Sequence, residues 1–133
     1  MNDRGGDEAR GMRWGGLAFI LVCVSLAMDS AMKLLLLTPA VDTNARLGFD
    51  RSGTFEIGVC LAFCLLIYLI PRTRLLGAVL LTGYLGGAVA AHFRAGSNPF
   101  ETLFPIFAGV GVWGALFWLS PEARGLPWFR AMH

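Results

Sequence analysis

The chain has 133 residues, which is enough for one domain. Hydrophobic residues make up 56% of it and its mean hydropathy is +0.61, which is above the range of ordinary soluble domains and indicates an integral membrane protein in contact with the lipid bilayer. Eleven basic and nine acidic residues give a formal net charge of only +2, which excludes the strongly basic surface that a nucleic-acid partner requires.

The N-terminal segment predicts a polar tail followed by a membrane span. Residues 1–13 carry charged side chains among glycines, so we expect a disordered cytoplasmic tail. An apolar run over about 14–37 is long enough to cross a bilayer. A charged segment before an apolar run is also typical of a signal peptide. Here Asp29 interrupts the small-residue pattern of a cleavage site and the apolar run resumes after Lys33, which favours a retained span.

The first connection, over residues 38–53, is polar and contains proline and glycine. Within it, Val41, Ala45 and Phe49 recur every fourth residue. This spacing places apolar side chains on one face, so it predicts a short amphipathic turn lying on the membrane surface.

Three further apolar runs are bounded by turn residues and predict spans. They lie at about 54–70, 75–93 and 99–119. Asn98 is suited to cap the last helix, Pro99 to occupy its first position and Glu101 to complement its positive end. Residues 120–133 carry arginine and tryptophan in the pattern of an interfacial cytoplasmic tail.

The third span has small residues at every fourth position, at Gly83, Gly87 and Ala91. Such a stripe in a membrane helix predicts the close approach of a neighbouring helix. Tyr84 and His92 lie on an adjacent stripe, which places two polar groups on one protein-facing side. We therefore predict that this helix is the inner helix of a bundle.

Together the spans predict an all-α membrane protein, a four-helix transmembrane bundle with up-down-up-down topology. Both termini then lie on the same side. The arginines of that side are Arg4, Arg10, Arg13, Arg72, Arg74, Arg124 and Arg130, and those of the opposite side are Arg46, Arg51 and Arg94. Because positive charge is enriched in cytoplasmic loops, we expect both termini to be cytoplasmic.

Ionisable residues from different spans converge at the end of this bundle that faces away from the cytoplasm. They are Asp29, Lys33, Glu56, His92 and Arg94. A charge in hydrocarbon is costly unless it is paired or hydrated, so such groups normally face one another or a wet cavity. Their common depth predicts a shared polar site.

Structural roles remain open for each member of this group. Asp29 precedes Lys33 by four residues, the favoured order for an intrahelical ion pair, and Lys33 is long enough to reach the headgroups. Glu56 lies near a helix N-terminus, where the helix dipole stabilises a carboxylate. His92 has no second histidine within the spans, so we predict no metal site.

The chain has three cysteines, Cys23, Cys60 and Cys64, in no C-x-x-C arrangement. Cys60 and Cys64 lie one helical turn apart, so their side chains run parallel and are badly placed for a disulfide. We expect all three to be buried small hydrophobic residues, with a redox pair as the alternative.

The segment from Ile70 to Gly96, followed by residues 98–119, resembles the DoxX-like family of small four-span bacterial membrane proteins. The matching features are Lys33, Glu56 and the ending Gly86-Gly87-Ala88…His92-Phe93-Arg94 of the third span. The likeness covers most of residues 14–119 and is strongest from Glu56 to Trp113. It implies a multi-pass protein of the bacterial inner membrane. The family takes its name from a subunit of a thiosulfate:quinone oxidoreductase, although most DoxX-like members have no assigned reaction.

Three functions are compatible with these features. The first is a site for a small lipophilic molecule such as a quinone, within or beside a membrane redox system, in an oxidoreductase subunit or accessory. Glu56 and His92 would exchange protons with the ligand. The residues expected to bind it are Lys33, Asp29, Tyr84 and Arg94.

The second function is a non-catalytic subunit that docks a membrane-protein partner or forms a homo-oligomer. The third is a small proton-coupled exporter, for which Asp29 would have to be free of Lys33. The sequence has no phosphate-binding loop with lysine and no nucleophile elbow, which argues against the common soluble enzymes.

Overall fold

Helices account for nearly all of the structure, as the apolar runs predict. The computed structural model describes residues 4–119, apart from the side chains of residues 4–5, 7–9 and 12. The helices of this region are α1 (Arg4–Leu34), α2 (Thr38–Arg46), α3 (Arg51–Leu69), α4 (Arg74–Arg94) and α5 (Pro99–Leu119). Within residues 4–119, four segments are long and apolar enough to cross a membrane: Arg13–Leu34, Arg51–Leu69, Arg74–Arg94 and Pro99–Leu119. The predicted all-α transmembrane bundle is therefore confirmed.

Each long helix packs against two others. Both α1 and α4 contact α3 and α5, so the order around the bundle is α1, α3, α4, α5. One apolar core runs down the middle, and all four long helices contribute to it. Its most deeply buried leucines are Leu26, Leu61, Leu81 and Leu116.

We call the half of the bundle that contains Arg13, the α3–α4 loop and Leu119 the closed half, because its helices pack closely. A Cβ atom added to Gly77 of α4 would overlap the backbone of Tyr68 in α3, and one added to Gly111 of α5 would lie 2.5 Å from Val22 in α1. The Tyr68 hydroxyl donates to the Val112 carbonyl oxygen at 2.8 Å, which ties α3 to α5 inside the core.

We call the other half the open half, because α1 ends early there. A Cβ atom on Gly58 of α3 would lie 2.8 Å from the Cβ atom of Lys33, and the Ser30 hydroxyl donates to the Gly58 carbonyl oxygen at 3.0 Å. The end of α1 is thus level with Gly58, seven residues into α3. At 1.5 Å per residue, α1 ends about 10 Å below the first residue of α3. Helix α2 occupies this space and contacts both α1 and α3.

The connection at residues 38–53 therefore contains a two-turn helix. Ala40 and Asn44 form its buried face, while Ala45 and Phe49 of the predicted apolar stripe are exposed. Val41 of this stripe is half-buried and Phe49 follows the end of the helix, so the position of this turn on the membrane surface stays a prediction.

The chain turns sharply before and after α2. Leu36 has φ 51° and Gly48 has φ 91°, both in the left-handed region that suits glycine and is unfavourable for leucine. The Leu37 N–H donates to the Met32 carbonyl oxygen at 3.0 Å and closes the end of α1. The first span therefore ends at Leu34, short of the predicted residue 37.

Within the tail expected to be disordered, residues 4–13 are helical. Helix α1 starts at Arg4 and runs without interruption into the span. Extending an existing helix is far easier than nucleating one, so the span can propagate backwards into the tail. The predicted interfacial tail at residues 120–133 lies outside the described residues.

The start of α5 follows the sequence prediction. The helix begins at Pro99, and the Asn98 side-chain oxygen accepts from the Glu101 N–H at 3.0 Å. This cap occupies one of the N–H groups that a helix N-terminus otherwise leaves without a partner.

Candidate functional site

A cavity of about 510 Å³ lies beneath α2 in the open half. Helices α1, α4 and α5 form its walls, α2 forms its roof, and α3 contributes Ile57. This volume is within the usual range for sites that bind small molecules. Phe104 lines the cavity and is 48% exposed, so one edge of the cavity reaches the lipid-facing surface. The polar lining residues are Asp29, Lys33, Thr43, Asn44, Tyr84, His92 and Glu101.

The small-residue stripe of α4 forms a wall of this cavity. Gly83, Gly87 and Ala91 all line it, and a Cβ atom added to either glycine would meet no atom within 4 Å. The prediction that this stripe admits a neighbouring helix is therefore wrong. Because α1 packs onto α3 at Gly58 and ends there, no helix reaches the stripe. The close approach in α4 occurs at Gly77.

Lys33 forms the inner polar group of the cavity. Its side chain is 13% exposed, and its Nζ donates to Asp29 Oδ2 at 2.5 Å and to the Tyr84 hydroxyl oxygen at 3.0 Å. An ammonium group has three N–H donors, so one remains available to the cavity. The Tyr84 hydroxyl accepts from Lys33 and keeps its own proton available for donation. Lys33 thus turns into the bundle.

His92 lies eight residues after Tyr84 on α4, about 12 Å farther along the helix axis. Its Nδ1 is 3.1 Å from the Ser97 hydroxyl oxygen. Its other ring nitrogen, Nε2, forms no hydrogen bond with any side chain or backbone group that the structure describes. His92 therefore supplies a second polar position, at the α2 end of the cavity.

Asn44 is a cavity residue that sequence reasoning missed. It is 4% exposed, and its side-chain Nδ2 donates to the Ala40 carbonyl oxygen at 2.9 Å. Its amide oxygen accepts from no group in the described part of the chain and is not sealed off from solvent-sized space. An asparagine in a polar connection is ordinarily exposed, so the sequence carries no signal for this position.

An ion pair joins the roof of the cavity to its wall. Arg46 Nη2 of α2 is 3.5 Å from Glu101 Oε1 in the first turn of α5. Glu101 thus pairs across helices in addition to its expected place at a helix N-terminus. Since Asp29 pairs with Lys33, the charges in and around the cavity cancel in two pairs.

Glu56 does not belong to the cavity. It is exposed on α3 and absent from the cavity lining, so the expected proton-exchanging pair with His92 is not formed. The buried face of α3 contains Thr54 and Gly58. Glu56 is two residues from each, which rotates it by about 200° to the opposite face of the helix.

Arg94 also lies outside the cavity lining. It is exposed at the end of α4, and its guanidinium group approaches the turn at Gly48. Four of the six predicted site residues are therefore brought together: Asp29, Lys33, Tyr84 and His92.

The cysteines are free thiols with different surroundings. Cys64 is buried in the core, Cys23 is half-buried and Cys60 is exposed. The expected burial therefore holds for Cys64 and is wrong for Cys60, because Cys60 is one turn after Glu56 and shares its outward-facing stripe.

Comparison with known proteins agrees with the resemblance noted in the sequence. The family model described as the DoxX-like family matches residues 17–115, which is well over half of the chain. The matched region contains every described long helix in part or in full. Searches of the curated proteins and of the solved structures gave no match.

Proposed function

The chain belongs to the DoxX-like family of integral membrane proteins, and from that premise we propose that it binds a small, neutral, lipophilic molecule with oxygen acceptors, such as a quinone, beneath α2. The observation that carries this proposal is the unused hydrogen-bond donors of Lys33 and Tyr84 inside a largely apolar cavity. A few well-placed polar groups in an apolar cavity are typical of small-molecule sites.

The charge distribution favours a neutral ligand. The Asp29–Lys33 and Arg46–Glu101 pairs each cancel, so these four groups give the cavity no net charge that would attract an ion. Burying an extra unpaired charge there would cost several kcal/mol. A quinone meets these requirements, because its flat apolar ring is neutral and its carbonyl oxygens accept hydrogen bonds.

In this proposal, the chain itself binds the ligand and transfers protons to or from it. The free N–H of Lys33 and the O–H of Tyr84 would hold one ligand oxygen, and the open ring nitrogen of His92 would give or take a proton. Electrons for any reduction would come from a partner, so we place the protein beside a membrane redox system. The proton role that the sequence suggested for Glu56 is not part of this proposal.

Binding of 2-methyl-1,4-naphthoquinone to the protein in lipid nanodiscs, followed by quenching of tryptophan fluorescence, tests the proposal. The double variant Lys33→Met/Asp29→Asn removes the donor and keeps the cavity neutral, and we expect it to bind at least tenfold more weakly. Glu56→Gln is the matched control, since it removes a charge outside the cavity, and its affinity should equal that of the wild type. Empty nanodiscs give the partitioning background. Equal affinity in the double variant and the wild type would overturn the proposal.

We also propose that the protein lies in a bacterial inner membrane with both termini cytoplasmic. The excess of arginine on the side of the closed half supports this orientation. The cavity then opens on the non-cytoplasmic side. Fluorescent-protein and alkaline-phosphatase fusions to the C-terminus test it, because only the former should be active if that terminus is cytoplasmic.

The outward position of Glu56 favours a second candidate, a non-catalytic subunit of a membrane complex. A carboxylate on the outer face of a span is stable when a partner supplies a cation. Purification in mild detergent should then yield a stoichiometric partner that Glu56→Gln releases. The exporter hypothesis has no comparable support, because Asp29 is occupied by Lys33.

A further inference from the structure

We infer that Asn44, Gly83 and Gly87 select a flat ligand with a carbonyl oxygen at one end and a hydroxyl group at the other. This inference rests on the proposed function and deepens it by naming the shape and the polarity of the ligand. It follows from the different chemistry at the two ends of the cavity and from the bare wall between them.

The inner end of the cavity offers donors. Lys33 has one unused N–H and Tyr84 has a free O–H, and both lie at the level of the middle of α4. A ligand atom placed there has to be an acceptor, for which a carbonyl oxygen is suited.

The outer end of the cavity offers acceptors. The amide oxygen of Asn44 accepts from no described residue, although Asn44 is 4% exposed and its amide nitrogen is occupied by the Ala40 carbonyl oxygen. Glu101, which also lines the cavity, adds carboxylate oxygens of which Oε1 faces Arg46. The Asn44 oxygen is accessible from the cavity, so a ligand hydroxyl can donate to it there.

The wall between the two ends is bare backbone. Gly83 and Gly87 lie one turn apart on the cavity side of α4, with Gly83 at the level of Tyr84 and Gly87 between the levels of Tyr84 and His92. A Cβ atom at either glycine would meet nothing within 4 Å, and alanine is the better helix former. Neither packing nor helix formation therefore accounts for glycine here. A ligand ring that lies flat against α4 would account for glycine at both positions, because the face of the ring needs the space that an alanine methyl group would occupy.

The first experiment compares two probes in nanodiscs, 6-hydroxy-2-acetylnaphthalene and 2-acetylnaphthalene, which differ only in the hydroxyl group opposite the ketone. We expect the wild type to bind the hydroxylated probe about tenfold more tightly, the effect of one well-formed hydrogen bond to an acceptor inside the cavity. In Asn44→Leu this preference should disappear. Equal affinities of the two probes for the wild type would overturn the role of Asn44, and that measurement needs no variant to fold.

The second experiment compares Gly87→Ala with Gly86→Ala. Neither added Cβ atom would meet anything within 4 Å, but Gly87 lines the cavity and Gly86 lines the outer groove between α4 and α5. We expect Gly87→Ala to weaken binding of the hydroxylated probe at least tenfold and Gly86→Ala to change it less than twofold. Both variants should unfold at or above the wild-type temperature. Equal affinities in the two variants would overturn the role of the glycine wall.

These outcomes separate the inference from the function on which it rests. If the wild type binds 2-methyl-1,4-naphthoquinone but shows no preference for the hydroxylated probe and no difference between the two glycine variants, this inference alone fails. If it binds none of the three probes, the proposed function fails with it.

Discussion

The closed and open halves of the bundle use glycine in opposite ways. In the closed half, Gly77 lets the backbone of α4 approach Tyr68 of α3. In the open half, Gly83 and Gly87 face empty space on the same helix. All three glycines lie on one continuous helix, and each presents bare backbone to its surroundings. Whether this bare backbone creates contact or volume depends on where the neighbouring helices end, which is a property of the whole bundle.

The largest expected difference between the halves comes from adding one methyl group to α4. Gly77→Ala should lower the free energy of unfolding by about 1–3 kcal/mol, because the new Cβ atom overlaps the Tyr68 backbone and the helices must separate. Gly83→Ala should raise it by about 0.5–1 kcal/mol, the usual helix preference of alanine over glycine. Reversible unfolding in mixed micelles measures both. The contrast between the halves fails if the two variants shift in the same direction.

Two tyrosines give the next comparison. The Tyr68 hydroxyl is buried and donates to the Val112 carbonyl oxygen at 2.8 Å, so Tyr68→Phe removes a buried hydrogen bond between two helices. We expect a loss of about 1 kcal/mol in unfolding free energy. Tyr84→Phe should cost less than about 0.5 kcal/mol, because Lys33 keeps its contact with Asp29 and borders an open cavity. The same unfolding assay measures both variants. A greater loss of unfolding free energy for Tyr84→Phe than for Tyr68→Phe would contradict the description of one half as closed and the other as open.

A smaller effect is expected at the turn that ends α1 and makes the open half possible. Leu36→Gly should stabilise the protein by about 0.5 kcal/mol, because relief of the left-handed strain exceeds the added flexibility of the unfolded chain. Leu35→Gly, at the neighbouring residue without a positive φ, is the matched control and should not stabilise. If both variants destabilise the protein equally, the turn at Leu36 is not strained as described.

The smallest effect concerns pH and the start of α3. The Gly53 N–H, with help from the Ser52 hydroxyl, holds the pKa of the Asp50 carboxyl below its ordinary value. A lowered folded-state pKa means that this carboxylate stabilises the protein above the ordinary aspartate pKa of about 3.9, and that the contribution is lost as the pH falls below it. Asp50→Asn keeps a cap that does not titrate. Thermal unfolding between pH 5 and pH 2 should therefore be less pH-dependent in this variant, and identical profiles would contradict the cap.

The sequence was sufficient for the features that depend on local composition. Apolar runs located the four spans, and Asn98 followed by Pro99 located the start of α5, because capping is decided within a few residues. The pairing of Asp29 with Lys33 also followed from their spacing. These properties need no knowledge of neighbouring helices.

The rest of the site could not be predicted because it depends on rotation and on helix length. Depth alone suggested that Glu56 joins His92, yet a helix with apolar residues on all sides does not show which face is inside, and Glu56 faces outward. The leucines after Lys33 predicted that the first span continues to residue 37, although the chain turns at Leu36. That early end lets α2 fold inward, and only then does Asn44 become part of the cavity.

The ion pair within α1 has a consequence for how the chain is made. Asp29 and Lys33 are one turn apart on the same helix, so they can meet as soon as that helix forms, before any other span has been synthesised. These two charges then enter the bilayer as a neutral pair, which costs less than inserting either one alone. The inner group of the cavity is in this sense assembled at biogenesis, and α4 later brings Tyr84 to a lysine that is already in place.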